Sequence, residues 1–209
     1  MRPEIVSYIE ECILPRYAEY DAAHRRDHIE GVIERSLALA EHYPELHKEM
    51  VYVVAAYHDL GLPEGRDTHH ISSARLMAED ERLREWFSTE QVQTMREAIE
   101  DHRASATRPP RSLYGMIVAE ADRQIVPEVV MRRTVQYGLA HYPHLTREEH
   151  WERFVGHLHE KYDYGGYLTL YIPNSENARQ LEILRTIIAD KTRLRDLFEE
   201  IFEGLRREH

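Results

Sequence analysis

The chain has 209 residues, 42% of them hydrophobic and 31% charged, and a formal net charge of -11 at pH 7. That acidity weighs against a general nucleic-acid binder, which needs clustered lysine and arginine to displace counterions from a phosphate backbone. A single cysteine, Cys12, excludes an intrachain disulfide and thiolate-held zinc or iron–sulfur clusters, so a metal would rest on nitrogen and oxygen ligands.

Proline and capping signals predict helices at 3–14, 25–42, 45–60, 70–80, 89–102, 112–124, 127–141, 147–162, 175–189 and 192–206, with no internal repeat or Ser/Gly linker. The first begins MRPEIVSYIEECIL, which is acidic and broken by proline, unlike a signal peptide, and no apolar run approaches membrane length. A cytoplasmic chain with no membrane partner is expected. In 25–42 the inward stripe is Ile29, Val32, Ile33, Ser36 and Ala40, with His28 at its edge and His24 one turn earlier. In 45–60 the run MVYVVAAY ends in His58-Asp59, and Gly61 stands where a C-cap glycine belongs.

His69-His70 then opens the helix at 70–80. Helix 89–102 starts with a capping box, Ser88 with Gln91, and its stripe of Met95, Ala98 and Ile99 ends in His102. In 112–124 Val118 and Ile125 flank Asp122, which puts a carboxylate on an apolar face. A second capping box, Thr146 with Glu149, opens 147–162. Only GYLTLYI at 166–172 hints at strand alternation, and it is too isolated to imply a sheet. The fold class is all-α.

Each inward polar residue has an ordinary explanation by itself: a core histidine bonded to a carbonyl, or an aspartate in a cap or buried ion pair with Arg123 or Arg132. Together, His28, His58, Asp59, His69, His102 and Asp122 would supply six nitrogen or oxygen ligands to one centre, a set suited to zinc, manganese, iron, nickel or magnesium. Asp59 has two oxygens and could bridge two ions while His58 binds one.

The order His28, His58-Asp59, Asp122, in the phrases HIEGV, AAYHDLG and VAEADRQIVP, resembles the HD superfamily of metal-dependent phosphohydrolases. His69 before Ser73-Ala74, and His102 in AIEDHRAS, resemble the two further histidines of its dinuclear branch. The resemblance covers about 24–130. It implies one HD-type helical domain over 1–209, with 131–209 as accessory helices that complete the bundle.

It implies, further, one or two divalent ions, with Fe, Mn, Zn, Ni and Mg all open. One would be held by His28, His58, Asp59 and Asp122, the other by His69, His102 and the second oxygen of Asp59. Asp59 and His58 would be the catalytic pair, acting on a phosphoester or phosphoanhydride of a nucleotide or other small phosphorylated metabolite. Many relatives carry lysine where Leu62 stands here, so arginines would meet the phosphate: Arg66 and Arg103, with His70 also close, and Arg75 and Arg123 as further candidates. The segment EDHRASATRPP lacks the HHExxDGxGYP pattern of cyclic di-GMP phosphodiesterases. Two other classes share this ligand pattern: a diiron oxygenase, and a non-catalytic nucleotide-sensing module. The oligomeric state is left open.

Overall fold

The computed structural model describes residues 1–20, 26–104 and 108–207. Among these residues the fold is all-α, with ten α-helices joined by short 3-10 and π turns and no strand. GYLTLYI at 166–172 forms no strand. No described helix is long and apolar enough to cross a membrane.

The chain divides into two compact units, Met1–Arg123 and Gln124–His209. The boundary falls close to the end of the motif-bearing stretch read from the sequence. In the first unit, α1 (Pro3–Tyr8) runs into a π turn (Ile9–Ile13) and a 3-10 turn (Leu14–Tyr17) rather than the single helix predicted over 3–14. Pro15 explains the break, because it has no N–H to continue the ladder. The helices α2 (Arg26–Ala40), α3 (Lys48–Tyr57), α4 (His69–Glu79), α5 (Thr89–Glu100) and α6 (Leu113–Asp122) then follow. Helix α3 is the axis of this unit: every residue from Met50 to Tyr57 is buried, so it is apolar all round rather than striped. Ile29, Val32, Met95, Ala98, Ile99 and Val118 pack into the same core. The predicted capping box at Ser88 and Gln91 forms at the start of α5.

Gly61 does not cap α3 in a left-handed conformation. Its φ is -87°, and the helix ends instead at His58. A Cβ on Gly61 would lie 2.4 Å from the Ser73 backbone nitrogen, 2.5 Å from Ser72 Cβ and 2.7 Å from the His69 carbonyl oxygen. The glycine is there because α4 passes directly over it. Its N–H donates to Ser73 Oγ at 2.8 Å, which pins α4 to the turn that follows the His58-Asp59 pair.

The second unit contains α7 (Pro127–His141), α8 (Arg147–Tyr162), α9 (Glu176–Ala189) and α10 (Lys191–Arg207), with a core built on Phe154, Leu158, Leu184, Leu194, Phe198 and Phe202. Thr146 and Glu149 form the predicted capping box at the start of α8.

Candidate metal centre

Six polar side chains in the first unit converge from five elements. His28 comes from α2, His58 and Asp59 from the end of α3, His69 from the first residue of α4, His102 from just beyond α5, and Asp122 from the last residue of α6. The last carbonyls of a helix have no intrahelical donor, and these ends are tied off by side chains. His58 Nδ1 bonds the Ala55 carbonyl at 2.8 Å, His102 Nδ1 the Ile99 carbonyl at 2.6 Å, and His69 Nδ1 the Arg66 carbonyl at 2.6 Å. Tyr17 and Tyr20 donate their hydroxyls to the Ala56 and Leu60 carbonyls, each at 2.8 Å. On α6, Arg35 Nε donates to the Ala121 carbonyl at 2.8 Å and holds the helix end that carries Asp122.

The ligand atoms form two groups that share Asp59, each within 4.8 Å: His28, His58, Asp59 and Asp122, and Asp59, His69 and His102. Asp59 divides its oxygens between them. Oδ2 lies 3.3 Å from His58 Nε2, while Oδ1 lies 3.4 Å from His69 Nε2 and 3.6 Å from His102 Nε2. Asp122 Oδ1 is 3.2 Å from His28 Nε2 and 3.6 Å from His58 Nε2. His58, Asp59 and His102 are buried, whereas His28, His69 and Asp122 are partly open to solvent.

The hydrogen bonds decide the tautomers. A carbonyl oxygen only accepts, so Nδ1 of His58, His69 and His102 must carry the proton, and Nε2 of each neutral ring presents a lone pair. Yet His69 Nε2 and His102 Nε2 face one another at 3.1 Å. Two lone pairs at that distance repel unless a proton or a metal ion lies between them. His58 Nε2 is buried and receives no hydrogen bond. Burial would push His58 toward the neutral form, but the Asp59 and Asp122 carboxylates outweigh it and hold its pKa well above the usual histidine value. Burial would likewise raise Asp59 and Asp122; the surrounding imidazoles prevail and keep both carboxyls well below the ordinary range. Burial and the neighbouring His102 bring His69 down to about 4, so it is neutral at pH 7. Imidazole Nε2 atoms aimed at ionised carboxylates are the donor set of a divalent transition metal, which would take the place of the proton that Asp59 and Asp122 favour on His58, and the residues fit one.

The other sequence-predicted residues lie outside the two groups. His70 is half-buried with its ring 5.6 Å from that of His69. Arg103 donates to the Asp67 carbonyl at 2.8 Å and to its carboxylate at 3.2 Å, while Arg75 pairs with Glu64 and Glu79. Arg66 is exposed and forms no ion pair among the described residues; Leu62 sits in a 3-10 turn two residues past Leu60. Arg123 is buried. His24 lies outside the described residues. The supporting roles of Tyr17, Tyr20, Arg35 and Ser73 escape a reading of helical spacing, because each depends on a partner 12 or more positions away.

Residues 25–124 match the family model of the HD domain. A crystal structure described as that of a predicted HD superfamily hydrolase, from an uncultured Thermotogales bacterium, is similar at 24% identity and a TM-score of 0.49, over 72% of this chain and 81% of the other. No curated protein matches the chain.

Proposed function

We propose that the protein is a metal-dependent phosphohydrolase with a dinuclear centre, acting on a phosphoester or phosphoanhydride of a small phosphorylated metabolite. The observation that carries this reading is the division of Asp59: one oxygen faces His58, the other faces His69 and His102. One ion would be held by His28, His58, Asp59 and Asp122, the other by Asp59, His69 and His102. When bound there, divalent ions bring the pKa of water toward neutrality and offset the charge on phosphoryl oxygens.

The chain does the rest. Asp59 fixes the spacing of the two groups, and the carbonyl-bound Nδ1 atoms keep three imidazoles in the ligating tautomer and orientation. No serine or cysteine nucleophile is required, and Cys12 is exposed on the π turn after α1.

The test is elemental analysis of protein purified without chelator, followed by phosphate release from a panel of phosphoesters, with Asp59→Asn alongside. About two transition-metal equivalents and metal-dependent phosphate release, both lost in the variant, support the reading. Oxygen uptake without phosphate release would replace it with the diiron oxygenase. Protein that takes up no metal on reconstitution would remove the catalytic reading altogether.

A further inference from the structure

Arg35 lies against two of the ligand-bearing segments. It follows His28 by seven residues on α2, nearly two full turns, so the two side chains share the face that meets α6. His28 Nε2 lies 3.2 Å from Asp122 Oδ1, and Arg35 Nε donates to the carbonyl of the adjacent Ala121 at 2.8 Å. The guanidinium also folds back along α2 toward the turn that carries His28. A Cβ on Gly31 would lie 2.9 Å from Arg35 Nη1 and 3.7 Å from its Cζ and Nη2. A side chain at position 31 would contest that place.

The guanidinium is not spent there. Nε bonds Ala121, while Nη1 and Nη2 have no hydrogen-bond or ion-pair partner among the described residues. The side chain is half-buried at a rim where the His28 and Asp122 side chains are 24% and 29% exposed. Asp122 acts on the guanidinium electrostatically without closing on it as an ion pair, since its Oδ1 faces His28 and His58 instead. Burial disfavours the charge on Arg35, and the Asp122 carboxylate offsets that only in part. A half-buried cation with unfilled donors is unfavourable until an anion meets it. The parallel N–H groups of a guanidinium match the oxygens of a phosphoryl group. Arg75 and Arg103, by contrast, are already engaged with Glu64, Glu79 and Asp67.

We propose that Arg35 grips the phosphoryl group of the substrate, with Nη1 and Nη2 donating to its oxygens at the rim beside His28 and Asp122. Gly31 leaves the guanidinium room to stand there. The assignment rests on the phosphohydrolase reading for the identity of the anion, but its evidence is the placement of Arg35. It gives the phosphate contact to a residue other than Arg66 and Arg103.

Calorimetric titration of the metal-loaded protein with inorganic phosphate tests it, with metal content measured on each sample. Arg35→Ala should weaken phosphate binding about tenfold or more at unchanged metal content, the loss expected for hydrogen bonds from a charged group. It should also raise KM for para-nitrophenyl phosphate. Gly31→Ala should weaken phosphate binding by a smaller factor while holding or raising the melting temperature, because alanine is the better helix residue and a guanidinium tip can yield to a methyl group. Wild-type phosphate affinity in metal-loaded Arg35→Ala, or no phosphate binding by the loaded wild type, would overturn the proposal. So would loss of metal from both variants, the result for a residue that only braces α6. If Arg35→Ala alone fails to load, Gly31→Ala decides: weaker phosphate binding at full loading supports the assignment, and wild-type affinity overturns it. Phosphate release from para-nitrophenyl phosphate separates the two readings. If the loaded wild type binds phosphate through Arg35 yet releases none from the ester, the hydrolase reading alone fails; if it turns the ester over while the variants bind phosphate as wild type, the Arg35 assignment alone fails.

Discussion

His69 and His102 show how a hydrogen-bond inventory points to a candidate metal site. Each bonds a backbone carbonyl through Nδ1, and the two Nε2 atoms are then left facing one another. A metal ion removes that conflict. Replacing His102 with Ala should therefore reduce the bound metal from about two equivalents to about one. The second ion's affinity should fall by more than the ~10–100-fold that follows loss of a group merely orienting a ligand; elemental analysis and calorimetry would show it. His28→Ala should spare the second ion instead. A residue away from these groups, Glu49, adds its own acid sensitivity. Burial opposes its ionisation, but bonds from Arg2 at 2.5, 2.9 and 2.6 Å outweigh burial and hold its pKa below the usual value. A carboxyl lowered in the folded state contributes stability above its unfolded pKa of about 4.3 and loses it as the pH falls through the lower, folded value. Glu49→Gln should cost about 1 kcal/mol at pH 7, discounted for the exposure of Arg2. The difference from wild type should vanish in thermal unfolding at strongly acidic pH.

At the scale of elements, the crossing of α4 over the turn after α3 sets where His69 meets Asp59. Gly61→Ala would place a methyl group against backbone atoms at 2.4 and 2.7 Å, which cannot yield as a side-chain tip can. It should cost about 1–3 kcal/mol in denaturant unfolding, and it should weaken the Asp59, His69 and His102 group more than the group holding His28. Ser73→Ala, which leaves the Gly61 N–H without its bond, should act in the same direction at about 1–3 kcal/mol. The convergence of these side chains was legible in the sequence. His28, His102 and Asp122 interrupt or border apolar stripes at helical spacing, and His58-Asp59 ends a buried run. The crossing was not, because a glycine near a helix end reads as a cap until the overlying backbone is known.

At the scale of the whole molecule, each unit has its own core and its own tryptophan, Trp86 in the first and Trp151 in the second. The Trp151 ring lies 5.4 Å from Phe198, which is fully buried among Phe154 and Phe202. In a Trp86→Phe background the remaining fluorescence reports the second unit. Phe198→Ala should destabilise that unit by about 3–5 kcal/mol, seen as an earlier transition in denaturant. The ten helices follow the predicted order closely, because capping residues and prolines are local signals. The division after Arg123 is set by which side chains share a core, and no local signal carries that.

The shared Asp59 also settles a matter of charge balance. The two groups contain two carboxylates, Asp59 and Asp122, and otherwise only imidazoles. Two dications bound there would leave two positive charges uncancelled by these ligands, so on the proposed reading a fully loaded site would be completed electrostatically by a dianion. A phosphate monoester is such a dianion near neutral pH. By reciprocity of linked equilibria, whatever anion the second ion helps to bind must, to the same degree, help retain that ion. On the proposed reading the loaded state would be a property of protein and substrate together, and the ion held less firmly would be kept in place by what it acts upon.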